Sequence, residues 1–156
     1  MRRKDREVTR REELDAIIQK GEVLHLGLMD GGVPYVVPLN YGFAWENGRR
    51  VFYFHGAKDG KKLDLISKHP RASFCITLGH GVIPGETAGN YSFGYESVMG
   101  KGRITVPHSP EEKRRGLACL FARYAPGKPF DVQEQVLAAT AVLRLEVEAI
   151  SGKRRD

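Results

Sequence analysis

Apolar and polar side chains alternate with a period of two through much of the chain, the spacing of strands with one buried and one wet face. Residues 141–150 show it most plainly: Leu143, Leu145, Val147 and Ala149 fall on one side, Arg144, Glu146 and Glu148 on the other. In residues 23–29, Leu24, Leu26 and Leu28 share a face. Residues 33–43, 51–55, 72–78 and 91–106 have the same β character, which predicts six strands. One-sided alternation argues for antiparallel pairing, because strands of a parallel sheet are covered on both faces and read as unbroken apolar runs. Asp30-Gly31-Gly32 and Asn47-Gly48 are hairpin turns, joining the first strand to the second and the second to the third.

Helices are marked by capping boxes, in which a Ser, Thr or Asp oxygen accepts from the N3 amide while a Glu at N3 reaches back. Thr9 with Glu12, Ser109 with Glu112 and Asp131 with Glu134 fit this pattern. The first predicts a helix burying Leu14, Ile17 and Ile18 and ending at Gly21. The second has Pro110 at N1 and a stripe of Leu117, Leu120, Phe121 and Tyr124. The third follows the break at Pro126, Gly127 and Pro129 and is short. Leu63, Leu65 and Ile66 before Pro70 imply one more. Residues 79–89, with four glycines and a proline, read as a loop and a candidate pocket wall. The expected fold is mostly β with short α helices, a six-stranded antiparallel barrel.

Length makes this one domain over residues 1–156, with charged tails at 1–8 and 152–156. The net charge is +6, but residues 1–11 hold six basic and two acidic side chains and residues 151–156 hold three and one. The body between them has 16 of each sign, which weakens a nucleic-acid reading. Cys75 and Cys119 are too far apart for a CxxC pair, and no histidine spacing suggests a metal, so both thiols are expected to be buried and no metal is expected. The charged N-terminus and the lack of a long apolar run predict a cytoplasmic protein with no membrane partner.

The densest chemical signal is Tyr53-Phe54-His55-Gly56-Ala57-Lys58-Asp59-Gly60-Lys61-Lys62, a strand running through glycine-spaced lysines into a helix. Lysines at a helix N-terminus oppose the helix dipole, so an anion is expected there. Lys58, Lys61, Lys62 and the amides around Gly60 describe a phosphate cradle, though a solvated basic turn has the same spacing. His55 shares a face with Val51 and Tyr53, opposite Phe52 and Phe54, where it can hold a proton or simply bond a carbonyl. Pro34 and Pro38 remove ladder donors from the next strand, leaving backbone near Asn40 open to a planar ligand, or marking an ordinary edge. In residues 90–103, glycines at 94, 100 and 102 mark bulges or close approach.

Together, Pro-Tyr-Val-Val-Pro-Leu-Asn-Tyr-Gly at 34–42, Tyr-Phe-His-Gly-Ala-Lys-Asp-Gly-Lys-Lys at 53–62, Tyr-Glu-Ser-Val-Met-Gly-Lys-Gly-Arg at 95–103 and Pro-Glu-Glu-Lys-Arg at 110–114 resemble a known family. It is the nitroimidazole-resistance branch of the pyridoxamine 5'-phosphate oxidase-like, FMN-binding split-barrel proteins. The resemblance implies a split barrel and a homodimer with FMN at the subunit interface. By it, the phosphate sits on Lys58, Lys61, Lys62 and the Gly60 region, and Pro38, Leu39 and Asn40 line the isoalloxazine. Ser97 and Val98 approach the ring, from the partner chain in one arrangement, and catalytic His55 lies beside flavin and substrate. The implied activity is an FMN-dependent oxidoreductase moving electrons from an NAD(P)H donor to a small electron-poor acceptor such as a nitroimidazole. The alternative is a flavin- or haem-binding protein for storage or sensing. Where the family carries arginines, this chain has Gly94 and Glu96, which changes the anions its pocket can hold.

Overall fold

A computed structural model describes residues 3–155. Eight antiparallel strands and four α-helices follow in the order β1 (Glu7–Val8), α1 (Arg11–Lys20), β2 (Leu24–Asp30), β3 (Val33–Leu39), β4 (Gly42–Glu46), β5 (Arg49–Ala57), α2 (Lys61–Lys68), β6 (Arg71–Ile83), β7 (Ser92–Thr105), α3 (Pro110–Tyr124), α4 (Glu134–Ala139) and β8 (Thr140–Arg155). The sheet runs β3-β2-β6-β7-β8-β5-β4, with β1 added to β8, and does not close. It is the expected mostly-β split barrel with two further strands. One is β1. The other arises because residues 33–43 are two strands: the chain leaves β3 at one sheet edge, turns through Asn40 and Tyr41, and enters β4 at the other. Tyr41 pins that corner, fully buried, its hydroxyl donating toward the carbonyls of Ile18 (2.6 Å) and Gly21 (2.8 Å).

The hairpins form as expected. Gly31, Gly32, Asn47 and Gly48 all take positive φ, which matches the twist of the flanking strands. Phe52, Phe54, Leu143 and Leu145 point into the barrel with Leu24, Leu26 and Ile76, and the first and second helices close it with Ile17, Ile18, Leu65 and Ile66. Val51, Tyr53 and Val142 face outward beneath α3, where Leu117 and Cys119 cover them.

Four local expectations give way. Ser109 caps α3 as expected, accepting from the Glu112 amide at 3.2 Å. Thr9 does not cap α1, which starts after Arg10, because pairing of Val8 with Gly152 keeps the chain extended. Asp131 does not cap α4, which starts after Gln133, and Glu134 is ion-paired with Arg114 instead of reaching back. Residues 79–83 are not loop: β6 continues through them opposite Ser92–Tyr95 across a bulge at Gly79 and Gly81, so the connection shrinks to residues 84–91. Lastly, the C-terminal basic residues are strand, since Lys153, Arg154 and Arg155 pair with Ser97, Glu96 and Tyr95. Cys75 and Cys119 are half-buried free thiols, the latter pushed up to about 11 by burial. Among the described residues no helix is long and apolar enough to cross a membrane.

Candidate functional site

The split in the barrel exposes backbone. β4 covers β5 only from Arg49 to Tyr53, so residues 54–57 pair with β8 alone, while β3 pairs with β2 alone. Unpaired strand edges hold donors and acceptors that need a partner. The seam between them is flanked by Pro38, Leu39 and Asn40 on one side and by His55, Gly56 and Lys58 on the other. Pro38 is exposed, Leu39 packs partly on the core, and Asn40 is exposed with Nδ2 donating to the Glu22 carbonyl at 3.4 Å.

The lysines divide. Lys61 crosses the seam to Asp30 at 2.5 Å and lies 5.0 Å from the Tyr35 ring centroid; the Asp30 hydrogen bond raises its pKa. It ties α2 to the β2-β3 hairpin, so its role in a cradle is shared with that strut. Lys62 is half-buried, its pKa lowered by burial, and lies alongside Gly56, where an added Cβ would come within 3.2 Å of Nζ. Neither Lys58 nor Lys62 enters an ion pair among the described residues. Gly60, at φ 123°, precedes α2, and no side chain caps the first amides of that helix. An uncapped helix start beside an unpaired lysine is a place where a phosphate would be held by both. Lys58 is also close enough to Lys113 to lower its pKa, second to burial; Lys113 donates to the Leu137 carbonyl.

His55 is exposed on the opposite face of β5 from Gly56, and looks into a cleft of about 560 Å³. The floor is polar, with Asn40, His55 and Thr140. The walls are Leu117, Leu120, Phe121 and Tyr124 of α3 and Phe130, Val132 and Val136 of the α4 segment, with Asp131 among the lining residues. Phe121 and Phe130 meet at 5.7 Å between ring centroids. Sequence reasoning misses this cleft: the α3 stripe has the period of an ordinary core-covering face, and only its surplus of rings hints that part of it stays uncovered.

Ser97 and Val98 are not brought to this cleft. They lie on β7, separated from β5 by β8, and Val98 is fully buried in the barrel core, so its side chain cannot touch a ligand. Ser97, half-exposed, is the available member of that pair. Gly94 packs against His80, and Glu96 is buried, accepting from Lys20 at 3.0 Å and Arg154 at 2.9 Å with His80 Nε2 at 3.4 Å. Burial alone would raise the Glu96 carboxyl, but the bonds from Lys20 and Arg154 outweigh it and hold it below the ordinary carboxylate range. A carboxylate with a depressed folded pKa adds stability above its unfolded pKa, and that stability is lost as pH falls through the folded value. Glu96→Gln is therefore expected to cost about 1–3 kcal/mol at pH 7 and to flatten the loss of stability below about pH 4.5. Urea melts from pH 7 to pH 2 measure both; parallel curves for the two proteins would remove Glu96 from this role.

Among the described residues no three His, Cys, Asp or Glu side chains lie together in a way that could hold a metal ion.

A family model for pyridoxamine 5'-phosphate oxidase matches residues 10–154. A proposed 5-nitroimidazole antibiotic resistance protein from Bacteroides thetaiotaomicron has a similar structure, with 26% identity, a TM-score of 0.79, and coverage of 94% of this chain and 85% of that one. The flavocytochrome Anf3 from Azotobacter vinelandii gives 26% identity and a TM-score of 0.85 over 100% of this chain and 72% of its own. A FAD and heme binding protein from Mycobacterium smegmatis gives 25% identity and a TM-score of 0.85 over 97% and 74%. A search of curated proteins finds no match.

Proposed function

The chain belongs to the pyridoxamine 5'-phosphate oxidase family, and from that membership we propose that it is a flavin-dependent oxidoreductase acting on a small electron-poor acceptor. The observation that carries this reading is Lys62 unpaired beside Gly56, at an uncapped helix start and an open strand edge. These residues fit a nucleotide phosphate, and FMN is the flavin we assign. Lys62, Lys58 and the first amides of α2 hold its phosphate, and Pro38, Leu39 and Asn40 receive the ring along the β3 edge. When bound, a flavin supplies the exchange of one or two electrons that no side chain can. His55 faces the cleft from the strand end and its imidazole makes no hydrogen bond among the described residues, so the ring is available to hold a proton for a reacting nitro or carbonyl oxygen. A nicotinamide nucleotide is the proposed donor.

The proposed assembly is a homodimer through the outer face of β2, β6 and β7, where Met29 and Met99 stay exposed in the single chain. Such a dimer gives Ser97 a ligand to approach, that of the opposite protomer.

Likeness to a FAD and heme binding protein favours a second reading, a haem- or flavin-holding protein without turnover. Its support is the same uncommitted His55, which would serve as an axial ligand.

The absorbance of the purified protein, with and without added FMN, tests the assignment. Lys62→Glu is expected to weaken FMN binding tenfold or more, with the melting temperature of the protein without flavin unchanged. His55→Ala is expected to keep FMN and slow reoxidation by 2-nitroimidazole roughly tenfold or more. Protein that takes up no FMN overturns the proposal, and a haem spectrum selects the second reading.

A further inference from the structure

The cleft beside His55 is asymmetric. Asn40, His55 and Thr140 form its strand floor, while α3 and the α4 segment offer mostly aliphatic and aromatic surface on the facing walls, Asp131 being the one charged group there. Much of that surface is left wet: Tyr124 is 42%, Phe130 37% and Val136 50% exposed. The α4 wall is not loose, because Lys113 binds the Leu137 carbonyl and Arg114 binds both the Val132 carbonyl and Glu134. The walls therefore stand apart with about 560 Å³ between them, a volume typical of sites for whole small molecules.

A single five-membered nitroheterocycle would meet the floor and leave most of both walls to water, forfeiting the dispersion and burial that the rings provide. We infer that the cleft selects a fused-ring aromatic of two or three rings, with its one polar substituent on the His55, Asn40 and Thr140 floor and its carbocycle between α3 and the α4 segment. This rests on the flavin reading only in that His55 and Asn40 belong to both; it concerns which acceptor the site takes.

The test is equilibrium binding, by calorimetry, of 1-nitronaphthalene and 2-nitroimidazole, which share a nitro group and differ in ring size and in ring nitrogens. Both are titrated into FMN-loaded and flavin-free protein. The expected result is at least tenfold tighter binding of 1-nitronaphthalene. Val136→Asp, at a half-exposed wall position where folding is not at stake, is expected to abolish that advantage and leave 2-nitroimidazole unaffected. Equal binding of the two compounds, or a full advantage retained in Val136→Asp, overturns the inference. The outcomes also separate from those of the flavin proposal. Nitronaphthalene held by a chain that retains no FMN upholds the cleft and sinks the oxidoreductase, whereas FMN retained with both compounds bound alike does the reverse.

Discussion

Phe52→Ala is expected to cost about 3–5 kcal/mol of stability, which in a chain of this length lowers the melting temperature by roughly 6–20 °C. Phe52 is fully buried, and three rings from two separate stretches of the chain meet it: Tyr41 at 5.4 Å, Phe43 at 5.5 Å and Phe74 at 5.0 Å between centroids. Each partner is held by hydrogen bonding that does not involve the Phe52 side chain, Tyr41 by its hydroxyl at the corner, Phe43 by the β4–β5 ladder and Phe74 by β6. None can move in to refill the space, so the residual cavity adds to the lost transfer free energy. Phe52→Leu keeps most of the volume and is expected to recover more than half of the loss. Urea melts followed by circular dichroism measure this, and a loss below about 1 kcal/mol for the alanine variant would show that the three rings collapse after all.

The same strand explains why much of the site is legible in the sequence. β5 alternates strictly, so Phe52 and Phe54 inward and Val51, Tyr53 and His55 outward follow from period two alone, and the two faces are those observed. The hairpin glycines, Pro110 at the start of α3 and the apolar triplet of α2 are equally local signals, and each sits where its signal places it. What is not legible is long-range. Thr9 and Asp131 have the right neighbours for caps, but β1 pairing and the Arg114–Glu134 bond outcompete them. Residues 79–83 carry glycines that act as breakers in most sequences, whereas here Gly79 lets the Phe93 ring lie within 3.1 Å of where a Cβ would be. Lys61 looks identical to Lys62 in sequence, and only the position of Asp30 across the seam distinguishes them. The cleft needs α3, α4 and β5 together, and no single segment announces it.

Positioning of that cleft depends on the pairing of β7 with β8, and Gly102→Val strikes it directly. Gly102 lies at the bulge where β7 shifts register against β8. A Cβ at this position would fall 2.0 Å from the Glu146 carbonyl oxygen and 2.9 Å from its carbon, backbone atoms that no rotamer change can remove. Either the two strands part or the register slips by a residue, and a one-residue slip turns the Leu143 and Leu145 face outward. A cost of about 3 kcal/mol or more is expected, above the usual range for an added methyl because the obstacle is main chain. Gly27→Ala is the control: its new Cβ would meet the Ser73 carbonyl oxygen at 3.6 Å, an ordinary contact, and its effect is expected to stay within about 1 kcal/mol. The damage from Gly102→Val should reach the ligand site as well. β8 sets Val142 opposite His55 and Thr140 opposite Ala57, so displaced β8 takes the polar floor of the cleft with it. Binding of 1-nitronaphthalene is therefore expected to fall together with stability in this variant, whereas in Val136→Asp it falls alone. A Gly102→Val protein as stable as the parent would mean that β7 and β8 tolerate a wider bulge, and that the floor does not depend on their register.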